Sequence, residues 1–149
     1  MSTRSSIAIK QADGTVRAMY CHHDGYLDHV GRMLLNHYNT EERIKALLDL
    51  GDISSLHEYL SKEEQESGDK PGRVCFVYAR DGEETEEITP NRLYPDRESF
   101  QNDAPIWYGA EYLYLFDDGK WYVFIVYAKA KFKGWHELTE DFIDKMEGE

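Results

Sequence analysis

Two Asp-Gly turns flanked by strand-like patterns constrain the fold of this chain more than any other feature. Residues 108–116, with Glu111 as their only charge, and residues 120–128 flank Asp117-Asp118-Gly119. An Asp-Gly pair between two such runs is a strong signal for a β-hairpin, because both residues accept the positive φ angles of its turn. Residues 121–127 are nearly all apolar or aromatic, which predicts a central strand covered on both faces.

A second hairpin is predicted near the start of the chain. Residues 6–10 and 15–20 alternate polar and apolar side chains around Asp13-Gly14. If the turn has two residues, partners across the hairpin have numbers that sum to about 27. Arg4 is therefore expected opposite His23.

Apolar residues at three- and four-residue spacing predict helices after each hairpin. Threonine and serine favour the first position of a helix, and glycine favours the left-handed residue that closes one. The predicted helices span residues 26–38, residues 41–50 (capped by Thr40 and closed by Gly51), residues 54–60 (capped by Ser54 or Ser55) and residues 140–146 (capped by Thr139).

The middle of the chain carries weaker signals. Residues 61–72 have no aliphatic or aromatic side chain, which predicts a mobile surface loop. Residues 73–79 resemble a strand, residues 83–87 an exposed acidic stretch, and residues 88–105 an irregular segment with three prolines. Together the elements predict one α+β domain over residues 1–149, with a mostly antiparallel sheet built from hairpins and with helices packed on one face.

The charge balance limits the class of partner. Acidic residues outnumber basic ones by 29 to 17, which gives a net charge of −12, and residues 61–105 are especially acidic. Direct nucleic-acid binding is not expected, because it requires a basic surface that displaces counterions from phosphates. The acidic segment is instead expected to suit a basic protein partner, such as a nucleic-acid-binding one, and a second copy of the chain is another candidate partner.

Compartment and redox state follow from what the sequence lacks. No run approaches the roughly 18 apolar residues of a membrane helix, and the first residues carry no secretory signal. We therefore expect a cytoplasmic protein that makes no membrane contact. Cys21 and Cys75 are expected to be buried thiols rather than a disulfide.

A candidate site lies where the first hairpin meets the first helix. Residues 20–26 supply two imidazoles, a carboxylate, a thiol and a glycine, and the hairpin brings the arginine fork of residue 4 beside them. This set suits a phosphate or carboxylate ligand. The alternative is structural, with the arginine paired to the aspartate and the histidines covering the sheet edge. The predicted ligand-binding residues are Arg4, Ser5, His22, His23, Asp24 and Tyr26.

Other chemistries are less well supported at this junction. No His-x-x-x-His or Cys-x-x-Cys spacing occurs, so no metal and no cofactor are expected. Cys21 and His22 are neighbours in an extended segment, which does not favour a catalytic dyad. Catalytic residues stay unassigned, and binding is favoured over catalysis. Aromatic residues such as Trp107 and Tyr108 are expected to pack in the sheet or form a protein-binding face, because the sequence shows no basic neighbours for a base-stacking platform.

Residues 2–7, Asp13-Gly14 and residues 20–26 resemble a group of small accessory proteins carried by tailed phages and plasmids. In similar sequences tryptophan often replaces the second histidine, which favours His22 and Asp24 as the functional pair. The resemblance implies a mobile-element protein in the host cytoplasm. Because such small acidic proteins often counter host defences, we expect a protein that binds and inhibits a host protein. The alternative is a protein that sequesters or hydrolyses a small phosphorylated ligand, such as a nucleotide signal.

Overall fold

The structure, a computed structural model, describes residues 2–82 and 87–148. Its strands are β1 (Ser5–Lys10), β2 (Val16–Cys21), β3 (Ile53–Ser55), β4 (Phe76–Val77), β5 (Arg92–Tyr94), β6 (Tyr112–Asp117), β7 (Lys120–Ile125) and β8 (Trp135–Glu137). Its helices are α1 (Arg32–His37), which continues a π-helical turn (Leu27–Gly31), α2 (Glu41–Asp49), α3 (Lys62–Ser67), α4 (Tyr78–Asp81), α5 (Arg97–Trp107) and α6 (Glu140–Glu147), with a 3-10 turn at Ala130–Phe132.

The strands form one sheet in the order β4-β3-β2-β1-β6-β7-β8. β5 also pairs with β2, so β3 and β5 share the outer edge of that strand. Only the β1–β6 and β2–β3 pairs are parallel. The predicted α+β class with a mostly antiparallel sheet is confirmed.

Helices cover both faces of the sheet, which corrects the expectation that they pack on one face. Residues of α1, α2 and α6 pack with Ile7 and Ile9 of β1. On the opposite face, Phe100 and Ala104 of α5 pack with Ala8 of β1. Successive side chains of a strand point to opposite faces, and β1 is apolar on both, so each face needs its own cover.

The second hairpin forms as predicted, because Asp118 and Gly119 adopt positive φ angles of 50° and 80° and Asp117 pairs with Lys120. Its first strand is shorter than predicted and begins at Tyr112, beyond Glu111. β7 lies between β6 and β8, as expected of a central strand.

The first hairpin is present, but its register differs by one residue from the prediction. Ser5 pairs with Cys21, and continuing this register places Arg4 across from His22 rather than His23. The cause is a longer turn, in which the backbone N–H of Gln11 donates to the Thr15 carbonyl at 2.7 Å.

Three of the four predicted helices are confirmed. Thr40 caps α2 by accepting from the Arg43 N–H, Gly51 has a φ of 83°, and Thr139 caps α6. The predicted helix over residues 54–60 is wrong. Ser54 and Ser55 belong to β3 instead, because the backbone N–H groups of His22 and His23 donate to the carbonyls of Ile53 and Ser54.

The middle of the chain is more ordered than predicted. The segment 61–72 is largely exposed but contains α3, which Ser61 caps and which an Arg43–Glu64 ion pair ties to α2; its mobility stays a prediction. Residues 73–79 form only the short strand β4 before the turn of α4. The segment 88–105 is not irregular, because it contains β5 and most of α5, whose cap is Asp96. The acidic stretch at 83–87 lies outside the described residues except for the exposed Glu87.

Both cysteines are buried free thiols, as predicted. Over the described ranges, no helix has the length and apolar character needed to cross a membrane.

Candidate functional site

The end of β2 brings together four side chains that we call the junction cluster: Arg4, Tyr20, His22 and His23. The Tyr20 hydroxyl lies 2.6 Å from Nδ1 of His22. The two imidazole rings meet edge to face, with centroids 4.5 Å apart. The positive charge of the Arg4 guanidinium opposes the rise in the pKa of Tyr20 and contributes to the lowered pKa of His22. The register of the first hairpin and these effects place Arg4 beside His22.

In both histidines of the cluster, Nδ1 lies within hydrogen-bonding distance of a hydroxyl group. The Ser2 hydroxyl lies 2.8 Å from Nδ1 of His23, as the Tyr20 hydroxyl does at His22. The Arg4 guanidinium, which can only donate hydrogen bonds, opposes the rise in the pKa of the Tyr20 phenol. In the contact between the Tyr20 hydroxyl and Nδ1 of His22, the tautomer of the ring decides which group donates.

Burial, followed by the neighbouring His23 and Arg4, lowers the pKa of His22. The imidazole of His22 is therefore neutral at pH 7 and carries one ring proton. Burial also raises the pKa of the Tyr20 phenol, although Arg4 opposes this rise.

The main chain of Arg4 is fixed separately from its guanidinium. Its N–H donates to Oε2 of Glu111 at 3.1 Å, and its carbonyl accepts from the Glu111 N–H at 2.8 Å. The guanidinium packs over Gly109, where a Cβ atom would lie 3.1 Å from Nη1. Gly109 also has a positive φ of 66°. Glycine is therefore required there by the backbone and by the arginine together.

Asp24 and Tyr26 lie outside the junction cluster. Asp24 is exposed and has a positive φ of 55°. Its carboxylate raises the pKa of the Tyr26 phenol, with burial as the next cause. Within residues 2–82 and 87–148, no ion pair joins Asp24 to Arg4 or to an imidazole. Asp24, which was predicted to share one site with Arg4 and His22, therefore forms no ion pair with either among the described residues, and the structural alternative in which Arg4 pairs with Asp24 is not what the structure shows either.

Ser5 is buried beneath the junction rather than exposed to a ligand. A Cβ atom on Gly25 would lie 2.7 Å from Cβ of Ser5, so the backbone of Gly25 packs directly against the Ser5 side chain. The carbonyl of Gly25 accepts from the Tyr114 hydroxyl at 2.6 Å. On the same side, burial raises the pKa of the Cys21 thiol to about 12, so this thiol is not a ready nucleophile.

The sequence missed a second feature, which extends from the junction cluster along the end of α5. The ring of Tyr108 stacks on Tyr20, with centroids 5.6 Å apart. The guanidinium of Arg92 lies 3.9 Å from the centroid of the Trp107 ring. Ile106 and Trp107 are 83% and 61% exposed. We call Arg92, Ile106, Trp107 and Tyr108 the α5-tip surface. The basic neighbour that the sequence did not reveal comes from β5, a strand that was not predicted.

A cleft of about 510 Å³ lies elsewhere, beside α3. Its lining includes Arg43 and Glu64, which already pair with each other. In the part of the chain that the structure describes, no three His, Cys, Asp or Glu side chains are placed to hold a metal ion.

The junction cluster therefore offers a guanidinium, a phenol and two imidazoles, and the α5-tip surface offers exposed aromatic and aliphatic side chains. Comparison with known proteins adds no family to this description, because no family model, curated protein or solved structure matches the chain significantly.

Proposed function

We propose that this chain is a small acidic accessory protein of a phage or another mobile element, which acts in the host cytoplasm and counters a host defence system by binding a host protein. The α5-tip surface is the observation that carries the proposal. Ile106 and Trp107 expose most of their area at the end of a helix, and Arg92 stacks on the tryptophan. Tryptophan, tyrosine and arginine are the residues most enriched among those that dominate protein–protein binding energy.

The charge of the chain favours a basic partner. With a net charge of −12, two copies repel each other, whereas a nucleic-acid-binding protein offers charge of the opposite sign. Such attraction is screened by salt over about 8–10 Å at physiological ionic strength. The apolar contact at the α5 tip is expected to depend far less on salt than the acidic surface does.

Two measurements test the proposal together. The first is the plating efficiency of phages on bacteria that carry individual defence systems, with and without this protein. The second is affinity purification from the same cells at low and moderate salt, with quantification of every recovered protein. Wild-type protein should restore plating against at least one system and recover a component of that system.

Trp107→Ala should lose both effects while keeping its thermal unfolding midpoint. Tyr127→Ala is the matched control, because Tyr127 is an aromatic residue that is 81% exposed outside the α5 tip. It should behave as wild type. Recovery of the same partner by Trp107→Ala would remove the α5 tip from the proposal, and recovery of no partner at either salt would overturn the proposed function.

A further inference from the structure

We propose that the junction cluster is a binding site for the phosphoryl group of a nucleotide, held by the Arg4 guanidinium and by the Nε2–H group of His22, with His23 beside them. The side chains that hold the phosphoryl group lie outside the α5-tip surface, so this site does not rest on the protein-binding function; the base of the nucleotide would share Trp107 and Tyr108 with that surface.

The hydrogen-bonding roles in the cluster point to an oxyanion. Arg4 can only donate, and we assign the His22 proton to Nε2, with the Tyr20 hydroxyl donating to Nδ1 across the 2.6 Å contact. The Nδ1 atom of His23 is likewise occupied, by the Ser2 hydroxyl. The groups that remain for a ligand are the arginine fork and the far nitrogens of two imidazoles. Phosphoryl oxygens accept hydrogen bonds from such groups, and the planar fork of arginine matches two of them at once.

The carboxylates around the cluster are directed to other partners. Glu111 accepts from the Arg4 main chain, and Asp52 accepts from the Tyr20 N–H at 3.1 Å. The Asp24 carboxylate lies close to Tyr26 and raises the pKa of its phenol. Across the described residues Arg4 has no ion-pair partner, although the protein has an excess of acids. The Glu111 carboxylate holds the main chain of Arg4, and the Arg4 guanidinium has no ion-pair partner among the described residues. The guanidinium can therefore bind an external anion.

Aromatic neighbours favour a nucleotide over free phosphate. The Tyr20 ring of the cluster stacks on Tyr108, and the exposed Trp107 precedes Tyr108 in the chain. A purine or pyrimidine base has a flat face that stacks on such rings. We therefore place the base of the bound nucleotide toward Tyr108, the residue of the α5-tip surface that contacts the cluster.

The experiment uses the intact protein and three probes: adenosine 5′-monophosphate, adenosine and inorganic phosphate. Binding is followed by NMR through the imidazole carbon-bound protons at pH 7.5 and low salt. Adenosine 5′-monophosphate should shift the His22 and His23 signals in a saturable way. Inorganic phosphate should shift the same signals with weaker affinity, and adenosine should not shift them.

Variants separate a site from general charge effects. Arg4→Gln and His22→Phe should each weaken adenosine 5′-monophosphate binding about tenfold or more, the loss expected for a hydrogen bond to a charged group. Arg97→Gln removes the same charge at the start of α5 and should bind as wild type. Thermal unfolding of each variant confirms that it is folded before it is titrated.

Four results would overturn the proposal. One is the absence of saturable shifts with both phosphate-containing probes. Another is equal weakening by Arg97→Gln and Arg4→Gln, which would mean that only net charge matters. The third is binding of adenosine without any binding of phosphate, which would place the ligand on the aromatic rings alone. If inorganic phosphate binds as tightly as the nucleotide, the nucleotide assignment is overturned.

Discussion

The Glu111 carboxylate accepts a hydrogen bond from the main-chain N–H of Arg4, at 3.1 Å, rather than pairing with its guanidinium. The Glu111 N–H returns a second hydrogen bond to the Arg4 carbonyl. Two residues that are 107 positions apart in the sequence are thereby joined just before the paired strands β1 and β6 begin. The backbone of Arg4 is therefore fixed by Glu111, and the Arg4 side chain remains available to bind a ligand at the junction cluster.

Replacement of Glu111 tests this relationship. Glu111→Gln retains an oxygen that can accept from the Arg4 N–H, whereas Glu111→Ala does not. We expect faster hydrogen exchange at the Arg4 amide in Glu111→Ala and near wild-type exchange in Glu111→Gln. Equal exchange in both variants would show that the side chain does not hold the Arg4 main chain.

Gly109 determines where the Arg4 guanidinium lies, and Gly109→Ala tests its role. The positive φ should cost about 1–2 kcal/mol of unfolding free energy for any residue with a Cβ. The same Cβ lies 3.1 Å from Nη1 of Arg4 and should displace the guanidinium. Because Arg4 is one cause of the low His22 pKa, after burial and His23, its displacement should raise that pKa.

Gly119→Ala is the matched control for Gly109→Ala. Gly119 has a φ of 80°, and no atom lies within 4 Å of the Cβ position. The two variants should lose similar stability in urea unfolding. Only Gly109→Ala should change the His22 titration measured by NMR, and an unchanged His22 pKa in that variant would contradict the assigned position of Arg4.

Local chemistry explains which elements the sequence predicted correctly. The turn at Asp118-Gly119 and the caps Thr40 and Thr139 act within a few residues, so they are visible in the sequence. The strands β3 and β5 have three residues each and form by pairing with β2. Such short strands depend on contacts between distant segments, which a local pattern does not contain.

The candidate site was predictable in part for the same reason. The first hairpin places Arg4 beside the histidines even though the register differs by one residue, because His22 and His23 are adjacent. The contribution of Tyr108 was not predictable. It reaches Tyr20 only because α5 packs on the far face of the sheet, and the prolines in that segment hid the helix.

Two neighbouring buried serines should respond differently to alanine. The Ser6 hydroxyl donates to the Met19 carbonyl at 2.8 Å, whereas Oγ of Ser5 is buried without a hydrogen-bond partner among the described atoms. Ser6→Ala should cost about 1 kcal/mol of unfolding free energy. Ser5→Ala removes an unsatisfied polar atom and should be neutral or stabilising. Urea unfolding of both variants decides the matter, and a larger loss for Ser5→Ala would indicate a partner for its hydroxyl.

The last prediction concerns the stability of the fold as pH falls. His57 is 8% exposed and its ring meets His29 edge to face, with centroids 5.6 Å apart. Burial, then the positive charge of Arg73 and then His29, lowers the pKa of His57 below its ordinary value of about 6.5. In the unfolded chain the group regains its ordinary pKa and binds a proton more readily than in the folded protein.

The free energy of unfolding must therefore fall as the pH decreases through about 6.5, the pKa of His57 in the unfolded chain, and toward the lower pKa of His57 in the folded protein. His22 contributes with the same sign, because its pKa is also lowered, mainly by burial. Asp52 contributes with the opposite sign, because burial raises its pKa. Urea unfolding at pH 7.5 and pH values down to about 5.5 should show the net loss. His57→Gln cannot titrate and should reduce the pH dependence, whereas an unchanged dependence would show that His57 is not its source.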